Sequence, residues 1–243
     1  MPVTESEIAV INSGLLDYEK SWAMQREIHQ NVVEGATNTF ILIEHPSVYT
    51  AGRRTDILER PQDGTPVIDV DRGGRITWHG PGQIVGYPII RLEKKNELVG
   101  FVRNLEDAII ETLSEFGIIG ISIAGKTGVW IKDEISERKI CAIGIRVAKG
   151  VTMHGFALNV CPDLTHFSQI IPCGMPEAQT TSMEKELKRT EAMINSMTTE
   201  ERANPDLLAK STNRRRRIAK GSGHPETEVT KLITNFTRMR SMM

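Results

Sequence analysis

The chain has 243 residues, 39% of them hydrophobic, and a formal charge of −1 at pH 7: enough apolar material for a sizeable core, and no overall charge that would point to nucleic acid as its partner. No run of 18 apolar residues occurs and Glu5, Glu7 and Glu19 interrupt the first twenty positions, so neither a transmembrane helix nor a secretory leader is expected. Three cysteines without a CxxC, and six scattered histidines, speak against a disulfide framework or a metal centre and fit a reducing, cytoplasmic location.

Leu15, Tyr18, Trp22, Ile28 and Val32 fall at near-helical spacing and predict a first helix from Leu15 to Val33. Thr39 to Ile43 is a short continuous apolar run, hence a buried strand, and Val48 to Thr50 is a second extended piece. Val67, Ile68 and Val70 then lead into Arg72-Gly-Gly-Arg-Ile-Thr-Trp-His-Gly-Pro-Gly-Gln83, with Ile84, Val85, Ile89 and Ile90 beyond it. Four glycines there suit either a hairpin or a backbone that approaches a ligand closely, with Trp78 as an apolar wall and His79 as a titratable group. Leu98, Phe101, Val102, Leu105, Ala108, Ile109, Leu113 and Phe116 mark the clearest helix, stopped at Gly117. Strands follow over Ile118 to Ile123, Gly128 to Ile131, Lys139 to Val147 and Val151 to Val160, the last two joined by a hairpin at Ala148-Lys-Gly150. A helix-first body with hairpin-linked strands and few βαβ units is α+β. Neither GxGxxG nor GxxxxGK[ST] occurs, so a nucleotide-phosphate loop is not supported.

The character changes near Glu184. From there to Met243 the chain holds 13 Lys+Arg against 8 Asp+Glu, whereas the preceding residues hold 17 against 23. This asymmetry predicts two parts, residues 1–186 and a helical segment 187–243. Within the second, Leu187 to Met197 is helical, and Thr198-Thr-Glu-Glu201 is a capping box broken at Asn204-Pro205. Ser211 to Lys220 forms a basic helix around Arg214-Arg-Arg-Arg217, and Val229, Leu232, Ile233, Phe236 and Met239 mark a last amphipathic helix.

Cys173, between Pro172 and Gly174, is the candidate nucleophile, with room for backbone N–H groups to face a reacting carbonyl. Cys141 and Cys161 sit in predicted strands and read as small buried hydrophobes. Lys139 opens an apolar strand, where an ammonium would favour the thiolate of a neighbouring cysteine; a solvated strand-end lysine is the plain alternative. His154 reads better as a satisfied core histidine than as a base.

Five segments taken together resemble the lipoyl(octanoyl) transferases over about residues 14–186: Glu44-His-Pro-Ser-Val-Tyr-Thr50, Arg72 to Gln83, Lys139 to Gly144, His154-Gly-Phe-Ala-Leu-Asn159 and Pro172-Cys-Gly174. The resemblance implies the mixed sheet with helices shared by lipoate and biotin protein ligases, and acyl transfer without metal or other cofactor. It implies that Cys173 carries the acyl group as a thioester and that Lys139 tunes it. It also implies an acyl site lined by Arg72, Gly73, Gly74, Arg75, Ile76, Thr77, Trp78 and His79, by Ala142, Ile143 and Gly144, and by Gly155, Phe156 and Ala157. The implied partners are octanoyl-acyl carrier protein and the lipoyl domains of 2-oxoacid dehydrogenase complexes and glycine cleavage H protein, with no membrane involved. An acidic carrier would have to dock on local cations such as Arg53, Arg54 or Arg75, because the body as a whole is acidic.

The tail resembles a different family, the methionine-rich RNA-binding domain of the bacterial signal recognition particle protein, of which only the later part is present. That resemblance implies RNA contacts by Arg214, Arg215, Arg216, Arg217, Gly221, Ser222 and Gly223. Three functions are therefore weighed: the acyltransferase, an RNA-binding module, and an ATP-dependent lipoate or biotin ligase, against which Cys173 and the missing phosphate loop both argue.

Overall fold

The computed structural model describes residues 7–61, 64–93, 97–134, 136–170 and 179–242. Its strands are β1 (Ile8–Leu15), β2 (Asn38–Glu44), β3 (Val48–Ala51), β4 (Val67–Asp69), β5 (Thr77–His79), β6 (Gln83–Ile89), β7 (Ile121–Ile123), β8 (Lys126–Lys132), β9 (Glu137–Ala148), β10 (Val151–Asn159) and β11 (Gln179–Thr180). The helices α1 (Tyr18–Val33) and α2 (Leu98–Glu115) separate the early strands, and α3 (Met183–Asn195) follows the last.

Alternation along the strands builds a sheet covered on both faces. In β2, Ile41 and Ile43 join Val85, Tyr87, Val151 and Ala157 in a core closed by Val32 of α1. Phe40, Phe156, Leu158 and Ile140 point the other way and are closed by Ile109 and Leu113 of α2, with Met183 of α3. The order is β1-β2-β6-β10-β9-β8-β7, with β11 beside β9. It is mixed: β1 runs parallel to β2 and β11 parallel to β9, while the hairpin β9–β10 and its neighbours are antiparallel. A second sheet, β4-β3-β5, carries the glycine-rich stretch. This is the α+β architecture expected.

Local chemistry explains where the expected elements move. Helix α1 starts at Tyr18, three residues later than expected, because Asp17 caps it by accepting from the Glu19 and Lys20 amides. Leu15 instead ends β1, an edge strand unforeseen in the sequence. The 72–83 stretch is more than two strand ends, since Thr77–His79 forms a strand of its own against β3. Cys141 is buried in β9 as expected; Cys161 is exposed, because β10 ends at Asn159 and the chain turns where the Cys161 amide donates to Gly82 O.

Helix α3 runs straight through the expected boundary at 186/187. Met183 lies in the sheet core, whereas Met193 lies in a separate core with Met197, Leu208, Ile218, Val229 and Ile233. That second core is enclosed by α3, α4 (Thr199–Ala203), α5 (Asp206–Ala209), α6 (Thr212–Ser222) and α7 (Glu226–Met242). Glu186 of α3 pairs with Arg138 of β9, and Arg189 reaches both Asp133 and Glu228, so the helix is pinned on both sides of the boundary.

The arginine run works inside this bundle. Arg214 and Arg217 pair with Glu201, and Arg215 and Arg216 with Glu226. Glu201 also accepts from the Thr198 amide at 2.8 Å while its own amide donates to Thr198 Oγ1, the capping box read from the sequence. Substituting Glu201→Ala removes the glutamate half of the capping box and two ion pairs, so it should cost about 2 kcal/mol in urea unfolding. The exposed Arg216→Ala should cost under about 0.5 kcal/mol.

Candidate active site

The site begins with Arg72. Its guanidinium is buried and donates to Thr50 O (2.8 Å), Thr50 Oγ1 (3.0 Å), Gly73 O (3.1 Å) and Arg75 O (2.8 Å). These bonds tie the 72–75 loop to β3 from within, and the Arg53 and Arg54 amides reinforce it by donating to Arg72 O and Gly74 O. Gly74 has φ +87°, which a side chain would oppose.

Beyond the loop, period-2 alternation divides the stretch. Thr77 and His79 face a pocket together with Arg72, Gly74 and Arg75. Ile76 and Trp78 face away, into a small core with Tyr49 and Ile170, where Trp78 stacks on His166 and its Nε1 donates to Ser47 Oγ at 2.9 Å. Trp78 is thus a pillar behind the pocket wall, and the expectation that it lines the acyl site does not match its placement. The opposite wall comes from the β9–β10 hairpin: Ala142, Ile143, Gly144, Gly155, Phe156 and Ala157. At Gly155 a Cβ would lie 1.8 Å from Gly86 O, so only glycine lets the two strands meet there. The pocket holds about 50 Å³ of space, room for roughly four water-sized groups.

Its imidazoles and phenols, and His45 behind them, are held uncharged. His45 faces Leu16 O with Nδ1 (2.7 Å), so the proton sits on Nδ1 and Nε2 accepts from the Tyr87 hydroxyl (2.8 Å). Burial lowers the pKa of His45; burial, then His45 and Arg72, lower that of His79 well below the usual imidazole range. Burial and three arginines push His154 down to about 3. Burial raises Tyr18 to about 12 and Tyr87 well up. Arg72 spends its donors on backbone carbonyls and Thr50, and Arg75 pairs with Glu59, so the neutral imidazoles, phenols and glycine backbone of the lining suit an uncharged acyl chain.

Because folding depresses these imidazole pKa values, the folded state gains nothing above the unfolded value near 6.5 and loses stability as pH falls below it, toward 3 for His154. Between about pH 8 and about pH 5, His154 should remove about 2 kcal/mol of unfolding free energy and His79 should act in the same direction, readable in urea melts at the two pH values.

Lys139 sits beside this pocket, on β9 directly opposite Trp130 of β8. Its Nζ lies 4.6 Å from the Trp130 ring centroid, and it lines a second groove with Gly73, outside the acyl pocket but sharing Gly74, Arg75, Ile143 and Gly144 with it. Cys173 lies outside the described residues. The flanking ones frame the site: Ile170 packs by Trp78, and Thr180 pairs with Lys139. Cys141 is no rival nucleophile, since burial pushes its thiol well up.

Several residues escaped the sequence reading. Tyr18, Val85 and Tyr87 line the pocket but looked like ordinary helix and strand positions. His154, read as a core histidine, also lines it, at φ +59°; its Nε2 donates to Asp71 Oδ1 at 2.7 Å, and Asp71 in turn pairs with Arg146. The adjacency of Asp71 to the Arg-Gly-Gly run was the available signal. The tail residues Arg214 to Arg217 and Gly221 to Gly223 are brought nowhere near this pocket's lining; Gly223, at φ +72°, closes α6.

Residues 17–202 match the family model for the lipoyl protein ligase A/B catalytic domain. The chain is 49% identical over 211 residues to an octanoyltransferase of Salinispora arenicola, covering 86% of this chain and 99% of that one. It is 52% identical over 184 residues to an octanoyltransferase of Acidothermus cellulolyticus, covering 75% and 83%. In fold it is similar to a bipartite lipoate protein ligase from Thermoplasma acidophilum solved in a study with its E2 lipoyl domain, at TM-score 0.55 and 17% identity, covering 68% and 66%.

Proposed function

Because this chain belongs to the octanoyltransferase family, built on the lipoyl protein ligase A/B catalytic domain, we propose that it moves an octanoyl group from octanoyl-acyl carrier protein to the target lysine of lipoyl domains. Those acceptors are the lipoyl domains of 2-oxoacid dehydrogenase complexes and glycine cleavage H protein, and the reaction runs in the cytoplasm. In the first step the Cys173 thiolate attacks the donor thioester carbonyl; a new C–S bond forms, the old one breaks, and the carrier thiolate takes up a proton. In the second, the acceptor amine attacks the acyl-enzyme; a C–N bond forms, Cys173 Sγ leaves, and the proton shed by the amine returns to a thiolate. The first exchange is nearly balanced and the second is downhill, so neither step calls for ATP. The observation that supports this reading is the glycine-walled pocket with neutral imidazoles and phenols, beside which Lys139 lies in the adjoining groove; its ammonium would favour the Cys173 thiolate.

Incubation with octanoyl-acyl carrier protein should add one octanoyl group to the intact chain; absence of that adduct, or a requirement for ATP, would favour the ligase reading. For the tail, we propose a helical segment from residue 187 that buttresses the catalytic part through α3. The RNA-binding reading loses its main premise, because all four arginines pair with carboxylates of the bundle. Salt-sensitive binding to signal recognition particle RNA, lost in Arg214→Ala/Arg217→Ala, would restore it.

A further inference from the structure

The groove beside Lys139 has a chemistry that the acyl chain does not explain. It encloses about 540 Å³, and among the described residues its lining contains five cations and no carboxylate: Arg54, Arg75, Arg103, Lys126 and Lys139. Glu59, Glu106 and Glu137 neutralise Arg75, Arg103 and Lys126 from outside that lining. Arg54 has no ion-pair partner among the described residues and is exposed. Lys126 and Lys139 are crowded against one indole, their Nζ atoms 5.4 and 4.6 Å from the Trp130 centroid. Like charges gathered in a concave, partly apolar site raise the local concentration of an anion. The opposite flank is apolar, with Leu98, Val102 and the strongly exposed Val99 of α2.

The groove and the acyl pocket meet at Gly74, Arg75, Ile143 and Gly144. A donor whose acyl chain fills the inner pocket must therefore carry the rest of itself outward past Lys139. We propose, building on the acyltransferase reading above, that this groove is the subsite for the donor's phosphopantetheine arm. The arm's amides and dimethyl carbon lie along Leu98, Val99 and Val102, and its phosphodiester is held by Arg54 and Lys126. The shared chemistry is a phosphoryl group, which a nucleotide also carries; the donor arm is favoured because the groove adjoins the acyl pocket directly.

The test compares two small donors on the full chain, S-octanoyl-4′-phosphopantetheine and S-octanoyl-pantetheine, which differ only in the phosphate. The wild-type chain should prefer the phosphorylated donor by about ten- to a hundredfold in kcat/KM, mainly through KM. In Arg54→Ala/Lys126→Ala that ratio should fall towards one, and Arg54→Lys should keep most of it. A ratio is insensitive to a general loss of folded enzyme. Equal use of both donors by the wild type, or a ratio unchanged in the double variant, would overturn the subsite while leaving the acyltransferase standing. Failure of both donors and of octanoyl-acyl carrier protein to charge the chain would instead count against the acyltransferase itself. Competitive inhibition by ATP at concentrations where pantetheine phosphate does not compete would reassign the groove to a nucleotide.

Discussion

Alanine in place of Lys139 is expected to slow octanoyl transfer by about a hundred- to ten-thousandfold, with little change in thermal stability. The ammonium lines the cationic groove beside the acyl pocket, held against Trp130 across the β8–β9 ladder. In the proposed mechanism, removing it takes away the positive charge that would favour a thiolate at Cys173. The alkylation of Cys173 by iodoacetamide should then need a higher pH in Lys139→Ala than in the wild type. Lys139→Arg separates charge from proton transfer, since a guanidinium keeps the charge and holds its proton. It should restore the alkylation profile without restoring the full transfer rate. A profile unmoved in Lys139→Ala would show that the lysine acts elsewhere.

Replacing Cys173 by alanine is expected to abolish the acyl-enzyme and to reduce transfer by at least about a thousandfold, because the proposed covalent route runs through that thiol. Cys141 is buried with its thiol pushed well up, and Cys161 is exposed at the end of β10. Cys161→Ala serves as the control and should charge with octanoyl at the wild-type rate. Octanoyl on Cys161 in the Cys173→Ala chain, formed as fast as the wild-type adduct, would move the nucleophile.

Much of the fold was legible because burial imprints a period. The α2 face from Leu98 to Phe116 and the β9–β10 hairpin were read with their turn, and the Thr198–Glu201 capping box stands as expected. Strand β1 was not, because most of Ile8–Leu15 is exposed on both faces and no alternation marks it. The same physics explains Trp78. Alternation in Ile76-Thr-Trp-His79 implies opposite faces, but nothing local says which face meets the pocket; that choice is made by Ile170 and His166, far along the chain. Arg72, expected to line the acyl site, does so and also clamps its own loop, because its acceptors are backbone carbonyls and Thr50. The arginine run looked free for phosphate, yet its carboxylate partners come from α4 and α7. Long-range partners of this kind leave no local trace in sequence.

The most direct test of the central claim is a charge-and-chase experiment. The chain is charged with octanoyl-acyl carrier protein, separated from the donor, and mixed with a lipoyl domain bearing a free target lysine, with no ATP present. One octanoyl group is expected on the peptide containing Cys173, discharged in step with the appearance of octanoyl amide on the lipoyl domain. An octanoyl amide that forms only when ATP is added, or one that forms from donor without any adduct on Cys173, would contradict it.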